Sequence, residues 1–141
     1  MTRELKLAAA GALCQAALAV AEAEQALVSV AVVDAGGHLV AFARMDGAEI
    51  AGPTLATDKA FTAVAHRSAT ASLAELAAPG GELAGLGSNG GGRYVIFGGG
   101  VPIWSADRVV GAVGVSGGSV AQDMACAEAA SRLWEQWCSS A

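Results

Sequence analysis

Between Arg108 and Ser116 the chain sets Val109, Val110, Val113 and Val115 among small residues, a β-branched pattern that predicts a strand. The pattern breaks at Gly117-Gly118, where a positive φ costs little, and resumes with helical spacing. Ser119 followed three residues later by Gln122 fits a capping box, so a helix is predicted over 119–138, with Val120, Met124, Ala127, Ser131, Trp134 and Cys138 on one stripe. Near the other end, Leu5, Ala9, Ala12, Ala16, Ala19, Ala23 and Ala26 recur at three-four spacing and predict a helix over 3–26. Val28 to Val33 reads as a strand, Asp34-Ala35-Gly36-Gly37 as a turn, and His38 to Arg44 as the returning strand of a hairpin. Pro53 sits where a first helical residue belongs, opening a helix through Leu55, Lys59, Thr62 and His66 to about Arg67. A short helix, about Thr70 to Ala77, stops before Pro79-Gly80. Tyr94–Phe97 and Val101–Ser105 read as two further strands. Consecutive strands can then pair as hairpins, which predicts one α+β domain over 1–141: a five-stranded, mostly antiparallel sheet flanked by helices.

Composition adds a surface to this outline. Hydrophobic residues make up 54% and charged ones 15%, with alanine and glycine carrying much of the apolar share. So apolar a surface predicts subunit contacts, hence a homo-oligomer. The net charge of −5, without a run of Lys or Arg, argues against a nucleic-acid partner. Cys14, Cys126 and Cys138 are odd in number and far apart, so they read as packing residues in a reducing cell rather than as a disulfide frame or a metal site. The basic-then-apolar start is interrupted by Glu4 and Gln15, and no 18-residue apolar run appears, so neither a membrane span nor a leader is expected. The expected location is cytoplasmic.

Candidate chemistry lies in three places. A strand, a glycine elbow and a capped helix would turn the N–H groups of Gly117, Gly118 and Ser119 outward, with the positive end of the helix dipole behind them, ready for a carboxylate or phosphate. Lys59 and His66 share a helix face. On an alanine-rich surface Lys59 would be partly desolvated, and either it or an aspartate such as Asp34 could serve as a base. The structural alternative pairs Lys59 with Asp34, Asp46 or Asp58. Residues 80–100 hold ten of the nineteen glycines, which suits a pocket rim, and Arg93 beside Tyr94 could clamp a ligand carboxylate there. Asp123, in the first turn of the last helix, would complement the helix dipole. The serines around Gly117-Gly118 lack the G-x-S-x-G spacing of a nucleophile elbow, and no dinucleotide fingerprint follows a first strand.

Taken together, VVDAGGHLVAFARMDGA (32–48), TDKAFTAVA (57–65), GGGVPIW (98–104) and GAVGVSGGSVAQD (111–123) resemble the GlcG/HbpS family, the haem-degrading or PduO C-terminal-like domain. The shared blocks supply Asp34, Arg44, Asp46, Lys59, Gly117, Gly118 and Asp123. The resemblance implies a profilin-like fold with a five-stranded antiparallel sheet, oligomers from dimer to octamer, and in some members haem or corrinoid binding. The first functional expectation is therefore a small-molecule binder whose ligand is haem or another tetrapyrrole, held near the elbow and Arg93, with Lys59 and His66 lining the cavity. The second is a cofactor-independent isomerase, cyclase or hydrolase using Lys59 or an aspartate as base.

Overall fold

The computed structural model describes residues 3–140. In order along the chain run α1 (Leu7–Ala23), β1 (Ser29–Asp34), β2 (Leu39–Arg44), α2 (Gly52–His66), α3 (Thr70–Ala77), two single 3₁₀ turns at Leu86–Ser88 and Gly90–Gly92, β3 (Gly100–Ser105), β4 (Arg108–Ser116) and α4 (Val120–Ser139). The sheet has four strands, in the order β2-β1-β4-β3, and every pairing is antiparallel. The α+β class stands; the count of five strands does not. Tyr94–Phe97 carries a strand-like composition, yet it forms no ladder. Its backbone is instead tied to α2, and the glycines on both sides favour loop over strand.

Side-chain parity divides the core between the two faces of the sheet. Val30 and Val32 of β1, with Val113 and Val115 of β4, pack under α1 and α4 together with Leu13, Ala17, Ala127 and Trp134. Ala31 and Val33, with Ala112, face α2 through Ala56, Ala60 and Ala63. On that second face Ala31, Gly114 and Gly100 lie side by side across β1, β4 and β3. A Cβ on Gly114 would collide with the Ala56 carbonyl and the Ala60 amide, and one on Gly100 with the Lys59 carbonyl. The helix axis therefore lies almost on the sheet, and this closeness brings Lys59 to β4.

Two helix faces differ from the sequence reading. The buried positions of α1 are Ala10, Leu13, Cys14, Ala17 and Ala21, rather than the Ala9–Ala12–Ala16–Ala19–Ala23 stripe. Alanine surrounds this helix, so the larger Leu13 and Cys14 decide which side is inward. In α4 the buried set is Asp123, Cys126, Ala127, Ala130 and Trp134, while Val120 is exposed. Burial of an aspartate could not be read from apolar spacing. Elsewhere the reading holds. Ser119 accepts from the Gln122 amide in a complete capping box, Pro53 opens α2, and Arg67 closes it in the left-handed region at φ 51°.

Candidate functional site

Lys59 leaves the middle of α2 and runs under the sheet edge, with no part of the residue exposed. Its Nζ donates to the Val115 carbonyl at 2.9 Å and to Asp123 Oδ2 at 3.2 Å. Phe97 places its ring 5.0 Å from the same nitrogen, and at Gly99 (φ 129°) a Cβ would lie 2.7 Å from it. Asp123 is buried too, and its other oxygen accepts from the Gly118 amide at 2.9 Å. Burial lowers the Lys59 pKa, against the opposing pull of Asp123. Burial likewise raises that of Asp123, against Lys59 and the elbow amides. The partner of Lys59 is thus none of Asp34, Asp46 or Asp58.

Two of those aspartates have other partners. Asp58 receives Arg93 Nε at 2.9 Å. Asp34 closes its own turn, accepting from the Gly36 and His38 amides at 2.9 and 3.0 Å and from His38 Nδ1 at 3.3 Å. These bonds outweigh the upward push of burial and lower the Asp34 pKa. Asp34 pairs with Gly111, whereas Val115, which binds Lys59, pairs with Val30, so the two lie about 13 Å apart along the sheet. Lys59 and Asp34 do not share a site.

The elbow turns its amides inward. Besides Gly118, whose N–H goes to Asp123, Ser119 N–H donates to Gln122 Oε1 at 3.0 Å and Gln122 N–H to Ser119 Oγ at 3.1 Å. Gly117, at φ 138°, lies against the Leu27 carbonyl. The anion cradle expected at Gly117–Ser119 is here a closed cap.

The glycine-rich segment does gather side chains on α2. Arg93 stacks on Phe61, its guanidinium carbon 3.6 Å from the ring centroid. Tyr94 stacks parallel to Phe61 and meets His66 edge-on, with centroids 6.3 and 4.6 Å apart. His66 Nδ1 lies 3.0 Å from the Thr62 carbonyl. Two hydroxyls hold the segment down: Thr62 Oγ1 accepts from the Val95 amide and Thr70 Oγ1 from the Gly100 amide, each at 2.9 Å. Sequence reasoning found Arg93, Tyr94 and His66 but missed Phe61, Thr62 and Thr70. Thr62 and Phe61 lie on the same helix turns as Lys59 and His66, and that spacing was the available signal.

A model of the family described as "Haem degrading protein HbpS-like" matches residues 5–132. The chain belongs to the HbpS-like family. Among its relatives, the corrinoid adenosyltransferase PduO of Citrobacter freundii is 43% identical over 84% of this chain, which spans 35% of PduO. A 15.0 kDa protein from the dhaT-dhaS intergenic region of the same organism is 41% identical, over 89% of both chains. In fold, the PduOC:heme complex has a TM-score of 0.89 at 39% identity, covering 92% of this chain and 94% of that one. HbpS has a TM-score of 0.86 at 31% identity, with 94% and 92% covered. This HbpS-like chain spans about a third of the adenosyltransferase, so that enzyme's activity is not carried over. No helix among the described residues is long and apolar enough to cross a membrane.

Proposed function

We propose that this HbpS-like protein binds a tetrapyrrole, haem in the first instance. The observation that carries the reading is its likeness to the PduOC:heme complex, at 39% identity over nearly the whole domain. The residues fit such a ligand in kind. His38 and His66 supply imidazoles, Phe61 and Tyr94 supply ring faces, and Arg93 and Arg108 supply cations for carboxylates. When bound, haem would bring redox-active iron, while the protein's own residues orient it and shield one face. The Lys59–Asp123 pair has a structural part in this reading. It ties α2, β4 and the start of α4 into one rigid wall. A titration with hemin followed by visible absorption tests the reading. Saturation at a fixed number of haems per chain is expected, and a featureless linear rise would defeat it.

The enzyme reading keeps one supporting observation, the burial of Lys59 beside a single carboxylate, which lowers its pKa. Its Nζ is enclosed by Phe97, Gly99 and Asp123, so a substrate would have to displace Phe97 first. Trapping of a carbonyl compound on Lys59 by borohydride would favour this reading, and no incorporation would count against it. Assembly into a homo-oligomer belongs to the same proposal, since Leu39 and Phe42 of β2 stand 52% and 40% exposed. Light scattering at dilution would measure it.

A further inference from the structure

At the far end of the β1–β2 hairpin from Lys59 lies a recess of about 660 Å³, within the roughly 300–1,000 Å³ typical of small-molecule sites. Leu5, Val40, Val109 and Val110 give it apolar walls, and Lys6 and Arg108 place two cations at its border beside the carboxylates of Glu4 and Asp34. His38 stands in this recess, its side chain 81% exposed.

The imidazole is held rather than free. Asp34 Oδ1 lies 3.3 Å from Nδ1, and the same oxygen is itself pinned by the Gly36 and His38 amides. The ring lies over Gly36, where a Cβ would come within 2.8 Å of Nδ1 and Cε1, so a larger residue there would push the imidazole aside. A carboxylate can only accept, so this contact favours the tautomer with its proton on Nδ1, which leaves Nε2 able to donate to a metal. Proteins present an imidazole to a metal in this way, with a carboxylate fixing tautomer and orientation. Yet no group of three His, Cys, Asp or Glu among the described residues could hold a bare ion. A single oriented imidazole suits a metal that arrives with its other ligands, as in a four-nitrogen macrocycle. The two cations match the carboxylate arms of such a macrocycle.

We infer that His38 is the axial donor to the metal of a tetrapyrrole seated in this recess, with Asp34 as its positioning residue and Lys6 and Arg108 facing the ligand's carboxylates. The inference rests on the tetrapyrrole reading above and gives that ligand a place. His66 differs in place: it lies outside this recess, on α2, with its ring edge-on to Tyr94.

The test is a hemin titration by visible absorption on wild type, His38→Ala, His66→Ala and Asp34→Asn, with thermal melts recorded for each. The expected result is a saturable Soret shift in wild type and His66→Ala. In His38→Ala affinity falls at least tenfold, the imidazole-type band is lost, and free imidazole restores it. Asp34→Asn weakens binding by roughly 10-fold while keeping the band, as loss of an orienting partner does, and Asp34→Glu recovers part of the loss. Wild-type-like titration of a folded His38→Ala overturns the assignment while leaving tetrapyrrole binding intact. A non-saturating wild type overturns the tetrapyrrole reading, and this inference with it.

Discussion

Lys59 and Asp123, 64 residues apart in sequence, meet at 3.2 Å with almost no surface of either exposed. A buried ion pair gains less from its own attraction than isolation of either partner costs. Lys59→Met or Asp123→Leu alone should each destabilise the protein by about 3–5 kcal/mol. The double variant should lie closer to wild type than either single one. Urea unfolding of the four proteins measures this, and additive losses would show that the two groups do not act as a unit.

The same pair sets a pH dependence whose sign follows from the two shifts. Burial raises Asp123, so the folded state holds that proton above the usual value of 3.8, and stability falls as pH rises through that window. Lys59 is lowered, so the folded state gives up its proton below 10.5 while the unfolded chain keeps it, and stability rises as pH rises there. The stability of Lys59→Met/Asp123→Leu relative to wild type should therefore peak at intermediate pH and decline toward both extremes. Denaturation midpoints across the pH range would show a flat difference if the shifts were absent.

Gly114 lies directly beneath α2. Gly114→Ala should cost at least about 1–3 kcal/mol, because the new Cβ meets the helix backbone of Ala56 and Ala60 rather than a side chain that can rotate. Gly11, whose Cβ would meet nothing, is the control. Inside α1, Gly11→Ala should stabilise by roughly 0.5–1 kcal/mol. Thermal melts of both variants give the comparison.

Thr62→Val keeps the shape of its side chain but removes the acceptor of the Val95 amide, leaving a buried donor unpaired at a cost of about 1–3 kcal/mol. Hydrogen exchange at Val95 should accelerate along with the amides around Tyr94, ahead of any change in the sheet. Uniform acceleration across the protein would mean that the hydroxyl does not act locally.

How much of this was legible follows from where the information sits. The β4–elbow–α4 unit, the hairpin and α2 were readable because each is written in neighbouring residues: Ser119 with Gln122, Asp34 with Gly36, Pro53 at a helix start. The Asp123 partner of Lys59 was not, since Asp34 and Asp58 are nearer in sequence and only the crossing of α2 over Gly114 selects Asp123. Tyr94–Phe97 misled for a related reason. Its composition suits a strand, but the Thr62 hydroxyl, a tertiary partner, takes the Val95 amide. The outward amides of the elbow were expected from its shape alone, and what turned them inward was a buried carboxylate. The His38 recess went unremarked because its other wall, Arg108–Val110, lies 70 residues away.

Trp134 is 1% exposed and donates its indole N–H to the Trp104 carbonyl at 2.8 Å, while Trp104 itself is 44% exposed on the edge strand β3. The protein thus carries its own optical gauge. Burial of its ring predicts blue-shifted emission from Trp134 while α4 is docked, beside the redder emission of exposed Trp104, and a red shift once the helix lifts from β3 and water reaches the ring.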